Sequence, residues 1–533
     1  MASAAPAATR AGLEVLHAGG NAVDAAVATA LALAVVHPQA GNLGGGGFAV
    51  VRVHGEVSAL DFREAAPAAA SHDMYLGKNG DPVAEKSLVG PLAAGVPGSP
   101  AGLWELHRKH GKLDWANVVA PAVRLARDGF VVTPRLEKSV ARAAKLLVRF
   151  PETAAVWLPG GEPPPAGSLM KIPSLAATLR DYGEHGPEAI TAGPVAAAIE
   201  TVSDRYGGVL TVADLESYRP VWRKPVFFDA FGWKVASMPL PSSGGIILGQ
   251  TSGLLERTNW GRTPRFGAER THLLVEAWRR AYADRFLLGD PSTTQAAESD
   301  LLGEGWLDRR ARELRSRRAT PSDKVRSWKP SAAGESTETT HLSVADGAGN
   351  VVSLTTTLNG SFGCGLLVPG VGILLNNEMD DFATAPGRPN LYGLIQGEAN
   401  AVGPGKRMLS SMSPTIAWRG SETVALGSPG GSTIPTVTVQ VLLNLVVDGD
   451  DLQTAVNRPR IHHQWMPDQI VVEPDALAPE TAWELERRGH ELKPRKQLGD
   501  VNAVRISSDG TVEAAADPRG PSSAGVVTPA PGT

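Results

Sequence analysis

Two short runs of β-forming residues around a glycine turn constrain this chain more than any other feature. Thr339-Thr-His-Leu-Ser-Val-Ala-Asp346, then Gly-Ala-Gly, then Asn350-Val-Val-Ser-Leu-Thr-Thr-Thr-Leu358 reads as an antiparallel hairpin, because β-branched residues dominate both arms. With the turn centred on Ala348, Thr339 faces Thr357, their Cβ atoms within about 5.5 Å. Two hydroxyls then meet at the mouth of the hairpin, with Asn359 just beyond. Upstream, from about Arg309 to Glu338, Arg, Ser, Lys, Glu and Thr replace large apolar side chains, the composition of a mobile segment. A cross-strand threonine pair needs no function in itself. A threonine that becomes a chain terminus is different: its own α-amine, with a reference pKa of about 7.7–8.0, can serve as general base for its hydroxyl.

The rest of the chain bounds what that hairpin belongs to. Of 533 residues, 42% are hydrophobic, enough for a large core. With 59 Gly and 41 Pro, turn formers far exceed the average share of about 12%, which excludes helical bundles and coiled coils. A net charge of −4, from 51 basic and 55 acidic residues, supplies no bulk attraction to nucleic acid or anionic lipid. The single cysteine, Cys364, excludes an internal disulfide and is expected to be buried; no Cys/His cluster has zinc spacing. Ala22 to Val36 is apolar but shorter than the roughly 20 residues of a membrane span. It is expected as a buried helix opened by Gly19-Gly-Asn21 and closed by Pro38. Met1 to Ala8 lacks the basic lead of a secretory signal, so the chain as written is expected in the cytoplasm, or in the periplasm or outside the cell if its start is truncated.

Gly44 to Gly47 lacks the Lys-Ser/Thr pair of a phosphate loop and precedes a strand instead of following one, so close backbone packing is the expected reason for it. His272 to Arg285 carries Leu274, Ala277, Trp278, Ala281 and Tyr282 at helical spacing. Its Glu276 and Arg280 are expected as an ion pair, and His272 with Glu276 is not a metalloprotease motif. His462-His463 is expected to pack or to bond backbone, and the glycosylation match at Asn359 has no meaning in a strand of this kind.

Glu338-Thr-Thr-His-Leu-Ser-Val344, Leu358-Asn359, Asn376-Asn-Glu-Met-Asp-Asp-Phe382, Ser410-Ser-Met-Ser-Pro-Thr415 and Gly427-Ser-Pro-Gly-Gly-Ser432 together resemble the gamma-glutamyltransferase (glutathione hydrolase) family of N-terminal-nucleophile hydrolases. Gly19-Gly-Asn-Ala-Val-Asp-Ala-Ala26, Asp61-Phe-Arg-Glu64, Pro241-Ser-Ser-Gly-Gly245 and Ala516-Asp-Pro-Arg519 extend the resemblance over almost the whole chain. It implies an α+β fold, the four-layer αββα sandwich, built jointly by a large segment, 1–338, and a small one, 339–533, as one intertwined domain. It implies self-cleavage between Glu338 and Thr339, after which the two chains stay associated. Thr339 would then attack the γ-carbonyl of a γ-glutamyl amide, its β-branch restricting χ1 and so aiming the hydroxyl.

By the same resemblance Thr357 orients the nucleophile, and the backbone of Gly430 and Gly431 stabilises the oxyanion, glycine permitting close approach. Arg63 with Ser410 and Ser411 meets the substrate α-carboxylate, while Asn359, Glu378 and Asp381 receive its α-ammonium. Tyr392, in Pro386-Gly-Arg-Pro-Asn-Leu-Tyr392, closes the pocket as a lid residue. No cofactor and no metal is implied. The expected partners are a small γ-glutamyl donor such as glutathione and an acceptor amine or water, with no nucleic acid and no membrane. Two other functions fit less of the constellation. A related amidase (a cephalosporin or glutaryl acylase, or a poly-γ-glutamate-cleaving relative) calls for a serine nucleophile or a lost Arg63, and an unprocessed binding protein needs no Thr339.

Overall fold

The computed structural model describes residues 1–294, 296–315, 317–325, 339–387 and 396–527. The longest apolar run forms the helix Ala22–Val36, and every one of its residues is buried. It starts where expected because the Asn21 side chain accepts the N–H of Val23 at 2.9 Å and of Asp24 at 3.0 Å, while Asp24 accepts the Asn21 N–H at 2.9 Å. This capping box explains the acid in the apolar run. Asp24 is a helix start that also takes the N–H of Lys112 at 3.0 Å.

Two antiparallel sheets lie face to face. The first runs in the order Ser523–Ala524, Ala2–Ser3, Thr340–Ala345, Val351–Thr357, Gly46–Val53, Glu56–Phe62, Val221–Arg223. The second runs Val512–Ala516, Asn502–Ile506, Glu422–Gly427, Thr415–Arg419, Trp233–Ser237, Val226–Ala230. Alternation along each strand sorts side chains to opposite faces. Ala49, Val51, Val352 and Leu354 pack outward against the helices Pro6–His17 and Ala22–Val36, whereas Phe48, Val50 and Val351 meet Ala236, Ile416 and Ala425 of the second sheet. Trp233, Val235, Val424 and Leu426 face outward again, onto the helix Ile434–Val446. That helix packs in turn on Ala268–Arg285. The layers are therefore helix, sheet, sheet, helix, the expected αββα sandwich.

Polar residues also sit between the sheets, and each has a partner there. Ser353 Oγ donates to the Leu426 carbonyl and Ser343 Oγ to the Asn502 carbonyl, both at 3.0 Å. His341 bonds Thr355 Oγ1 at 2.8 Å and Ser343 Oγ at 3.0 Å. Its ring fits because position 427 is glycine: a Cβ there would lie 2.4 Å from the imidazole.

The Gly44–Gly47 run packs backbone on backbone as expected. A Cβ at Gly44 would fall 2.0 Å from the Leu374 carbonyl oxygen, and one at Gly45 2.1 Å from that of Thr357. The helix expected from His272 begins earlier, at Ala268, and carries the Glu276–Arg280 pair at 2.8 Å. The stretch expected to be mobile, about Arg309 to Glu338, is ordered at its start: the helix Glu304–Arg312 runs into it, and Arg310 is buried in an ion pair with Asp284, while residues 326–338 lie outside the described residues. A polar composition conceals order when its charges are matched by buried partners far along the chain.

Candidate active site

The hairpin has the register read from sequence. Ala345 pairs with Val351 and Thr340 with Thr356, and the same register carried one residue further sets Thr339 against Thr357. Asp346 builds the turn by accepting the N–H of Ala348 at 2.9 Å and of Asn350 at 3.0 Å. Thr339 and Thr357 share the parity of His341 and Thr355, so both belong to the face between the sheets. They line one cavity of about 290 Å3 empty volume, and both are buried. Thr357 Oγ1 accepts the Asn359 N–H at 2.8 Å, and Asn359, at φ 68°, turns its amide to the Asn377 carbonyl at 2.9 Å. Asn42, which sequence reasoning missed, pins this strand end. Its Nδ2 donates to the Thr357 carbonyl at 2.7 Å and to Thr356 Oγ1 at 3.0 Å, and its Oδ1 accepts the Gly45 N–H at 3.0 Å.

One wall of the cavity is charged. Arg63 follows the strand Glu56–Phe62, and its N–H is fixed by Asp61 Oδ1 at 2.9 Å. Asp61 is itself held by Arg223 at 2.7 Å and Arg407 at 2.6 Å. The Arg63 guanidinium is wholly buried. Its Nη1 pairs with Glu378, its Nη2 with Asp381 Oδ2 at 2.5 Å, and Glu64 stands 3.6 Å away. Burial opposes the Arg63 charge, but Glu378, Asp381 and Glu64 outweigh it and raise its pKa. For the acids burial dominates over Arg63: Glu64 is raised to about 7, Glu378 well above the usual carboxylate range, and Asp381 upward as well. Asn376 shapes this wall from behind, accepting the N–H of Glu378 and of Gly95 at 2.9 Å.

The lining also includes Ser410, Ser411 and Gly431. Ser410 Oγ accepts the Met412 N–H at 3.1 Å, whereas the buried Ser411 Oγ has no protein partner among the described residues. Gly430 and Gly431 adopt φ 135° and 56°, conformations that favour glycine. Gly431 lines the cavity, and Gly430 is its neighbour outside the lining. The cavity also contains a residue that sequence reasoning passed over, Arg285, the last residue of the helix Ala268–Arg285. Glu338 and Tyr392 lie outside the described residues.

Among the described residues one group has metal-ligand chemistry, the buried His272, Glu276 and His490. Most of its donor atoms are already engaged, His490 Nδ1 being the exception. Glu276 accepts from Arg279, Arg280 and Thr320, and His272 bonds His490 at 2.7 Å and the Arg315 carbonyl at 2.5 Å. Two guanidiniums beside the carboxylate disfavour a cation.

A threonine at the head of an inner strand of an αββα sandwich, sharing a cavity with a second threonine and a cluster of buried charges, defines an N-terminal-nucleophile hydrolase. Comparison with known proteins narrows the class. The gamma-glutamyltranspeptidase family profile matches residues 8–527. A glutathione hydrolase proenzyme of Escherichia coli strain K12 is 42% identical over 523 residues, covering 97% of this chain and 90% of its own. Among solved structures, a cephalosporin acylase from Bacillus halodurans superposes with a TM-score of 0.84 at 27% identity, over 98% of this chain and 94% of that one. A gamma-glutamyltranspeptidase chain from Helicobacter pylori gives 0.59 at 37% identity, over 60% of this chain and 93% of its own. The chain belongs to the gamma-glutamyltranspeptidase family.

Proposed function

We propose that this protein is a self-processing γ-glutamyl hydrolase and transferase with Thr339 as its nucleophile. The observation that carries the reading is that Thr339 shares one cavity with Arg63, Glu378 and Asp381, a wall able to meet both charges of a glutamyl group. In maturation Thr339 Oγ attacks the Glu338 carbonyl, the acyl group shifts from nitrogen to oxygen and so frees the Thr339 amine, and water hydrolyses the ester to release the Glu338 carboxylate and restore the Thr339 hydroxyl. In turnover that amine takes the Oγ proton as Oγ adds to the γ-carbonyl, then passes it to the departing amine. A γ-glutamyl ester on Thr339 remains, and water or an acceptor amine resolves it. The Gly430 and Gly431 N–H groups stabilise the oxyanion, a contribution of about 3–4 kcal/mol in enzymes of this kind.

The substrate zwitterion fits the wall by partner exchange. In the structure Arg63 pairs with Glu378 and Asp381. An entering α-ammonium takes over those acids with Asn359, and the α-carboxylate turns to the guanidinium and the Ser410-Ser411 pair. Segments 1–338 and 339–533 remain together after cleavage because each supplies strands to both sheets.

The test is intact mass under denaturing conditions, wild type beside Thr339→Ala. Two wild-type fragments with a break before Thr339 and an uncut variant support the reading. A wild-type chain that stays whole under maturing conditions refutes it. A second reading, a related amidase, is favoured by the acylase likeness in fold. Turnover of glutaryl amides, which lack the α-ammonium, in preference to γ-glutamyl amides would select it.

A further inference from the structure

The two arginines of the cavity are in opposite electrostatic states. Arg63 is held by Glu378 and Asp381. Arg285, also buried, donates Nε to Ser243 Oγ at 3.0 Å and Nη1 to Gln396 Oε1 at 3.3 Å. Both of those partners are neutral. Among the described residues no carboxylate pairs with Arg285, although every other fully enclosed arginine of the site region has one. A desolvated guanidinium without an anion is costly. Burial draws its pKa down to about 10, against the more distant charge of Asp381. The position of Arg285 supplies the second observation. Ser243, which it grips, donates its Oγ and its N–H to the Ser410 carbonyl, both at 2.9 Å. Arg285 therefore flanks the serine wall, where the buried Ser411 hydroxyl also lacks a protein partner. An unneutralised cation and an idle hydroxyl donor on one wall form a receptor for an anion, and the cavity offers each a place in its lining.

We propose that Arg285 is a substrate-binding residue, the cation that meets the donor's α-carboxylate together with Ser411, alongside Arg63. This rests on the γ-glutamyl reading of the site. With Arg63 committed to two acids, Arg285 is the guanidinium with unused capacity, and a zwitterionic donor completes the charge balance of the cavity. A donor without the α-carboxylate leaves Arg285 buried and unpaired, so Arg285 sets the preference for γ-glutamyl over plain γ-aminoacyl groups.

The experiment compares γ-glutamyl-p-nitroanilide with 4-aminobutyryl-p-nitroanilide, which keeps the amine and loses only the α-carboxylate. Wild type, Arg285→Gln and Arg285→Lys are used, each first verified by mass as cleaved. The expected result for Arg285→Gln is a KM for the γ-glutamyl donor raised about 100-fold, the size of a lost charged hydrogen-bond pair, with kcat changed far less and the 4-aminobutyryl donor unaffected. Arg285→Lys should recover part of the preference. An equal loss on both donors, or failure of both variants to mature, overturns the proposal and makes Arg285 a structural residue. If mature wild type turns over neither donor, the γ-glutamyl reading itself fails, an outcome visible before any variant is made.

Discussion

In the proposed reaction Arg63 is a ligand for substrate, and in the structure it is the counter-ion that lets Glu64, Glu378 and Asp381 stay buried. The two roles separate by pH. Arg63→Ala should cut γ-glutamyl turnover by about 100-fold or more, the worth of a charge-assisted pair near 3 kcal/mol, as a steady-state assay will register. It also strands three carboxyl groups, which in the folded variant must take up protons to remain in place. The folded variant then binds more protons than the unfolded chain, so its stability falls as pH rises. The melting-temperature gap between Arg63→Ala and wild type should therefore widen from pH 6 to pH 8; a gap independent of pH would show that other groups neutralise the acids. Most of these residues were legible in the sequence because short motifs carry them: Asp61 to Glu64, Asn376 to Phe382 and Ser410-Ser411. Arg285 and Asn42 were not. An arginine at the end of an amphipathic helix reads as a solvated charge, and nothing local reveals that Ser243 and Gln396, at opposite ends of a long sequence interval, enclose it.

Among elements, the hairpin and the glycine run that backs it decide where Thr339 stands. Gly45 abuts the end of the strand Val351–Thr357 so closely that a Cβ would lie 2.1 Å from the Thr357 carbonyl oxygen, and that atom is backbone and cannot rotate away. Gly45→Ala should destabilise the protein by about 1–3 kcal/mol through overpacking and slow cleavage before Thr339, followed by the rate at which the two fragments appear on a denaturing gel. Gly349→Ala is the matched control. At φ 82° it strains the hairpin turn but meets nothing within 4 Å, so it should cost about 1 kcal/mol and leave the cleavage rate near that of wild type. Equal slowing by both would mean that global stability, and not the fit at Thr357, controls maturation. The hairpin register and the helix Ala22–Val36 could be read in advance because turn chemistry and a capping box are local. The strand order could not. Ala2–Ser3 lies between Thr340–Ala345 and Ser523–Ala524, pairings across most of the chain that no local pattern encodes. The helix Glu304–Arg312 was missed for a similar reason, since its buried face is secured by the distant acid Asp284.

At the scale of the whole molecule, the Ala516-Asp-Pro-Arg519 motif acts as a clasp. Asp517 pairs with the buried Arg460 at 2.6 Å, and Arg519 pairs with Glu473 at 2.7 Å. Asp517→Asn leaves Arg460 buried with a neutral partner and should cost about 3–5 kcal/mol, measurable as a lower urea midpoint. The histidines set a wider limit on conditions. Burial lowers His37, His341 and His490 to about 3 and His463 to about 4. Unfolded, each returns to about 6.5. Below that pH the unfolded chain takes up protons that the folded protein refuses, so stability drops as pH falls, by about 1.4 kcal/mol per pH unit for each histidine until its folded pKa is reached. At pH 5 the loss is about 2 kcal/mol apiece. Glu64 and Asp500, raised by burial to about 7 and about 6, run the other way, because their folded forms bind protons first. Glu378 and Asp381, raised as well, act in the same direction, so the buried carboxyl groups offset much of what the four histidines remove. With the histidines ahead, urea unfolding should show a lower midpoint at pH 5 than at pH 7.5, and because both segments build both sheets, the cleaved protein should lose its two chains in the same transition. A midpoint that rises on acidification would mean that the carboxyl groups between the Arg63 wall and Asp500, not the histidines, dominate the proton balance of folding.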